Sequence, residues 1–238
     1  MSPPSHRTAA PKTPSKRGAA SKKAPKPRTT YHHGDLAREL MSASLQLLTE
    51  VGADGLSLRE AARRAGVNHR AVYRHYEDKR ALLAAIAEAG YYALRDDLQA
   101  AVMTLDAPAS AEPGPTHARV ELLALAEAYL RFARREPARY QVMFGPRLNL
   151  DGRFPGLERA IQALIAVLER TLKLAGPTVS GRDRRDAGLS FLSAIHGMSG
   201  LVLVNRIRLR EDYIHSYVAK LMTPVVDGLL GVLDSPAR

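Results

Sequence analysis

Cysteine and tryptophan are both missing from the 238 residues, and aromatics make up only 5% of the chain. Without cysteine there is no disulfide, no thiolate nucleophile and no cysteine metal site. The P-loop, the GxGxxG turn, the HExxH helix and the nucleophile elbow are also missing, so no enzyme and no cofactor are expected. His32, His33 and Asp35 lie close together in the sequence, but no fourth ligand converges on them, so no metal is expected. No segment of useful length alternates polar and apolar residues as a strand does, and no repeat is visible. A basic N-terminus without an apolar stretch behind it does not read as a signal peptide.

Acids are absent from residues 1–30, while Arg7, Lys12, Lys16, Arg17, Lys22, Lys23, Lys26 and Arg28 supply eight positive charges. That leaves +3 of the formal +11 for the rest of the chain (11 − 8 = 3). The stretch is rich in Pro, Ser, Ala and Thr and poor in large aliphatic side chains. Too little apolar surface is available to offset the entropy of ordering, so a disordered basic tail is expected. Such a tail would add affinity for a polyanion by counterion release; the alternative is a solubilising tail without further consequence.

The densest signal is the run SLREAARRAGVNHRAVYRHYEDK at residues 57–79. Ser57 and Glu60 have the spacing of a capping box, in which the Ser accepts from the third helical amide and the Glu reaches back to the cap amide. Gly66 can end that helix in the left-handed conformation, Val67 can plug the gap, and Asn68 is a second N-cap. Two helices joined by a tight glycine turn are a helix-turn-helix. On the second helix, Val72 and Tyr76 share an inward stripe, while His69, Arg70, Tyr73 and Arg74 fall largely on the other side. An arginine fork suits guanine edges, and His and Tyr suit bases or phosphates. His75 and Lys79 suit phosphates, and Asp78 caps a third helix.

With the preceding Tyr31-His32-His33-Gly34-Asp35-Leu36, this run resembles the tetracycline-repressor (TetR) family of bacterial regulators over residues 31–83. The resemblance implies that Ser57 meets a phosphate and that His69, Arg70 and Tyr73 face an operator. Arg74, His75 and Lys79 would contact it mostly at phosphates, with Asn68 and Ala71 completing the surface. Many relatives carry Thr at the position of Ala71 and a small residue at that of Arg70. This chain therefore lacks one hydroxyl and has one extra long donor.

The remainder is patterned as helix throughout, giving an all-α fold: a basic tail at 1–30, a three-helix DNA-binding domain at 31–80, and a helical effector-binding and dimerisation domain at 81–238. Leu36, Leu40, Ala43, Leu47 and Val51 form the stripe of a first helix that Gly52 ends. A long helix runs from Asp78 to about Met103, and a Pro- and Gly-rich loop covers 105–116. Further helices are expected at about 117–135, at PARYQVMF, and along Leu157, Ile161, Leu164, Ile165, Leu168 and Leu172. The last two are expected at 182–208 and 211–233, with a kink at Pro224.

Residues 187–205 carry no formal charge, yet their Ser, Gly, His and Asn and the stripe Leu189, Leu192, His196, Leu203 and Ile207 argue for burial in a bundle rather than for a membrane span. The resemblance implies that the last two helices form a dimer interface, with Gly188, Ser193, Gly197 and Gly200 allowing close approach. YLRFARREPARYQVMFGPRL and FLSAIHGMSGLVL also resemble a subgroup whose second domain carries a Trp-His-Gly triplet, here Ile195-His196-Gly197.

Tyr92, Phe132, Tyr140, Met143 and His196 are candidate effector contacts, with Tyr91, Met103, Phe144 and Met198 nearby in pattern. Each also reads as plain core, and His196 as a buried hydrogen-bonded ring, a dimer contact or a ligand contact. The functional expectation is a homodimeric repressor of a palindromic operator, cytoplasmic and nucleoid-associated, released by a small molecule. An activator and a non-specific architectural DNA binder are the alternatives.

Overall fold

The computed structural model describes residues 33–105 and 114–234. The tail at 1–30, Tyr31-His32 and most of the 105–116 loop lie outside them. The described residues form nine α-helices and a single 3-10 turn: α1 (His33–Gly55), α2 (Leu58–Arg64), α3 (His69–His75), α4 (Lys79–Met103), α5 (Pro115–Arg135), α6 (Pro137–Met143), α7 (Pro155–Ala175), α8 (Gly181–Leu203), the turn Glu211–Tyr213, and α9 (Ile214–Asp234).

The first three helices close on a small core of Leu40, Leu47, Ala61, Ala62 and Val72. Gly52, with a left-handed φ of 67°, ends the long helical run of α1 as its position implied, and a short helical turn follows across the kink as far as Gly55. Val51, at the end of the stripe, is exposed. At the start of α2, Ser57 Oγ accepts from the Glu60 amide at a long 3.5 Å. The other half of the capping box does not form. The Glu60 carboxylate accepts from Arg63 at 2.6 and 2.8 Å and from Arg64 at 3.1 Å, because two guanidinium groups one turn away outcompete a single amide. Their bonds pull the Glu60 carboxyl down to a pKa of about 2.

α4 carries the chain from this module into the rest of the molecule. Asp78 caps it by accepting from the Ala81 amide at 2.8 Å. Its buried residues, from Leu82 to Leu98, pack on α5, α6 and α7. A Cβ on Gly90 would stand 2.5 Å from Met143 Sδ, so the absent side chain is what lets α6 lie against α4. α6 also packs on α1, which joins the second half of the fold to the first. α5 is the central helix of that half: it touches α4, α6, α7, α8 and α9, and Phe132, Leu122 and Leu130 are wholly buried. It begins at Pro115 rather than 117, since proline at a first helical position loses no hydrogen bond.

Two expectations about the last helices need correction. α8 ends at Leu203, not 208, because Asn205 adopts a left-handed φ of 57°. The Arg206 amide then donates to the Leu201 carbonyl at 2.9 Å, a closure typical of helix ends. The inward stripe is also rotated from the expected one. Ala187, Phe191, Ile195, Met198 and Val202 are buried, while Leu189 is 62% exposed. A helix that is apolar nearly all round does not reveal its phase by composition. Similarly, Ile165 of α7 faces outward, whereas Leu157 and Leu172 are buried. α9 runs through Pro224 as one helix. The segments Gly181–Leu203 and Glu211–Asp234 are long and apolar enough to cross a membrane by length and composition; each packs one face inside the fold.

Candidate nucleic-acid interface

α3 is only seven residues long, and its placement depends on its two ends and one anchor. Gly66, at φ 65°, ends α2, and the Val67 amide donates to the Ala62 carbonyl at 3.0 Å. Asn68 Oδ1 then accepts from the Arg70 amide at 2.9 Å. Val72, wholly buried, pins the helix to the module. With these fixed, His69, Arg70, Tyr73, Arg74 and His75 are all exposed on one helix. The His69 and Tyr73 rings meet edge to face at 6.2 Å, which limits where the phenol can point. Among the described residues no ion pair engages Arg70 or Arg74. Two guanidinium groups are thus left free on a surface that is also rich in hydrogen-bond donors.

Three residues of the surface are engaged within the fold. Ala71 is half-buried and packs against the core, so its methyl group braces α3 more than it meets solvent. Asn68 is exposed, but its side-chain oxygen is committed to the cap. Lys79 Nζ donates to the Asp54 carbonyl at 2.6 Å, tying α4 to the end of α1. Arg59 and Arg63 were not anticipated: both are exposed on α2, and with Ser57, His69 and Tyr73 they line an open depression between α2 and α3. Their i, i+4 spacing was the available signal.

The candidate effector contacts separate into two groups. Tyr140, Met143 and His196 come together, joined by Tyr129 of α5. Tyr140 OH lies 2.6 Å and Tyr129 OH 3.0 Å from His196 Nδ1, and the two hydroxyls are 3.2 Å apart. The Tyr140 and His196 rings stack at 5.4 Å, and Phe144 lies 4.8 Å from each. The Met143 carbonyl accepts from Tyr91 OH at 2.7 Å. Burial lowers the His196 pKa and so favours the neutral ring. Burial also pushes Tyr140 up to about 12 and Tyr129 well above the ordinary phenol value. The buried Ser199 hydroxyl makes no hydrogen bond of good geometry among the described residues. The remaining two stand apart. Phe132 is wholly buried core, and Tyr92 lies under the Arg95 guanidinium, 4.7 Å from its ring centre. Tyr129 went unrecognised as a polar partner because its position on an apolar stripe resembles simple core.

A clamp of charged groups joins the loop before α7 to the start of α4, directly after α3. Arg153 donates to Asp78 at 2.8 Å and to Glu77 at 2.6 Å, and Arg80 pairs with Asp151. Both guanidinium groups sit 5.2 Å from the Phe154 ring centre. The Ala81 amide and Arg153 hold the Asp78 carboxyl below its ordinary pKa.

Comparison with known proteins agrees with this geometry. Residues 40–86 match the family model "Bacterial regulatory proteins, tetR family", and residues 122–223 match "Tetracyclin repressor-like, C-terminal domain". The chain is 54% identical over 50 residues to the tetracycline repressor protein class A of Escherichia coli, a match covering 21% of this chain and 23% of that repressor. The match thus spans about a quarter of the relative's length. A protein of unknown function from Rhodococcus sp. RHA1 superimposes with a TM-score of 0.67 at 29% identity, covering 87% of this chain and all of that one. A TetR protein of Acinetobacter baumannii AYE solved with minocycline gives 0.56 at 20% identity, covering 82% and 97%.

Proposed function

We propose, starting from a chain that belongs to the tetR family of bacterial regulatory proteins, that it is a homodimeric, sequence-specific DNA-binding repressor released by a small-molecule effector. The observation that carries this reading is α3: a helix capped at one end, anchored by a single buried valine, and presenting Arg70 and Arg74, which no ion pair engages among the described residues. Uncommitted guanidinium groups on a short exposed helix match phosphates and guanine edges. Residues 31–80 form the reading domain on this proposal, and residues 81–238 the effector and dimer domain.

One such module reads few base pairs, so affinity and specificity require two. The exposed apolar groups of α8 and α9, Leu189, Leu201, Val204, Leu221 and Val232, support pairing through that face. Gly197 and Gly200 have open space where a Cβ would lie, as a closely approaching partner helix needs, whereas Gly188 is already closed off by Leu172 and Leu168. Ile195-His196-Gly197 supports placement in the subgroup that carries a Trp-His-Gly triplet. Such a regulator works in the cytoplasm, on the nucleoid.

α6 and the Arg153 clamp give a physical route for release. Both touch elements next to α3, so an effector favouring a different arrangement of the second domain shifts the population away from the DNA-competent state. The test is selection from a random DNA pool followed by competition binding. A palindromic site preferred over random DNA by roughly three orders of magnitude or more is expected; equal binding to all sequences would leave only the architectural reading.

A further inference from the structure

We propose that the cleft between α4, α5 and α7 binds an organic cation, an apolar body carrying an ammonium, amidinium or guanidinium group, through the carboxylate of Glu121. This rests on the effector reading above and names the chemistry of the effector.

Glu121 lies on the buried face of α5, between the fully buried Ala118, Leu122 and Leu125, and is only 2% exposed. A carboxylate withdrawn from water to that extent needs strong partners. It has one: the buried Thr171 hydroxyl donates to Oε2 at 2.6 Å. His117 Nε2 lies 3.1 Å from Oε1. The counter-charge is Arg170, whose Nη2 stays 3.3 and 3.4 Å from the two oxygens and whose side chain is 56% exposed. A charge-assisted pair normally closes to about 2.7–2.9 Å. Arg170 therefore approaches a buried anion from the solvent side and makes only a long bond to it.

A cleft of about 610 Å³ includes these groups, within the range of small-molecule sites, roughly 300–1,000 Å³. Its other walls are Gln99, Val102 and Met103 of α4 and Ala163, Ala166 and Val167 of α7. They are largely apolar, with one amide and one flexible thioether, a lining suited to an uncharged body of variable shape. A ligand cation takes the place that Arg170 holds loosely, completes the pair with Glu121, and sends the arginine into solvent. A carboxylate ligand drawn to Arg170 would instead meet Glu121.

The test compares three probes with the same eight-carbon tail, octylguanidinium, octanol and octanoate, on the full-length protein by thermal shift and equilibrium dialysis. Octylguanidinium is expected to raise Tm and to bind at least tenfold more tightly than octanoate. Glu121→Gln is expected to weaken it at least tenfold, and Arg170→Ala to leave it equal or tighter, which a merely structural arginine would not do. If Glu121→Gln fails to fold, Ala163→Trp, filling the cleft from α7, takes its place and is expected to abolish binding. Preference for octanoate, loss of binding in Arg170→Ala, or unchanged binding in both Glu121→Gln and Ala163→Trp overturns the proposal. A parallel measurement uses DNA that the protein has itself selected. Octylguanidinium binding with unchanged DNA affinity would sink the effector reading alone. DNA release by octylguanidinium that survives Glu121→Gln would sink the cleft alone.

Discussion

Helices α3 and α5 treat the same side chain in opposite ways. α5 carries Arg119, Arg131, Arg134 and Arg135, and all four are close to an acid: Asp227 for the first, Glu127 and Glu211 for the second, Glu211 for the third and Asp97 for the last. α3 carries Arg70 and Arg74, with no ion pair to either among the described residues. α5 also buries nine residues and α3 only Val72. Charges that are matched inside the chain brace it, whereas charges left unmatched on a small, well-anchored helix remain available to a polyanion. On the proposed function, the contrast separates the part of the chain that carries stability from the part that carries recognition.

The sharpest way to break that contrast is Phe132→Ala in α5. A wholly buried aromatic is removed from the central helix, so stability should fall by about 3–5 kcal/mol, read as a lower Tm or denaturant midpoint. The protein that remains folded should bind DNA with unchanged preference. Altered base preference would show that α5 takes part in reading. Arg70→Ala is the converse. It should leave Tm unchanged and cost about 1–3 kcal/mol of discrimination at one base pair per half-site, measured by competition among single-base variants of the selected DNA. A drop in Tm with unaltered preference would mean that Arg70 belongs to the bracing set.

Smaller effects test the connections between the two. Asp78→Ala removes the α4 cap and one end of the Arg153 clamp. A stability loss of about 1 kcal/mol is expected from the cap, together with faster hydrogen exchange at the start of α4. Exchange unchanged there would show that the cap and clamp do not order that end. The gentlest test is pH. Burial depresses the folded-state pKa of His196 below 6.5, so the unfolded chain binds the proton more readily. The stabilisation is complete above about pH 6.5 and is lost as pH falls from there through the lower folded value. Unfolding scans from about pH 8 to about pH 5 should show this loss, and His196→Phe should flatten that part of the profile. A profile identical in the variant would remove His196 as its cause.

Short-range features were legible in the sequence. Asn68, Asp78, Gly66 and the Val72 anchor act within a few residues of their partners, and each stands as its spacing implied. The capping box failed in part because Arg63 and Arg64 compete for Glu60, a contest that a motif read by itself does not include. In the second half, Leu189 and Ile165 were placed inward by periodicity and lie outward, since helices rich in Leu and Ile along several stripes have no single buried face until neighbours supply one. The bond from Lys79 to the Asp54 carbonyl joins residues 25 positions apart, which spacing does not reveal.

The sequence by itself determined an all-helical chain, a capped helix-turn-helix and its exposed basic surface, because caps, turns and heptad-scale periodicity act over one or two helical turns. Only the tertiary structure decided which apolar faces are buried, which arginines are neutralised, and that Glu121, Thr171, His117 and Arg170 meet at one cleft. Those outcomes depend on residues about 50 positions apart being brought to hydrogen-bond distance, and no local propensity encodes that.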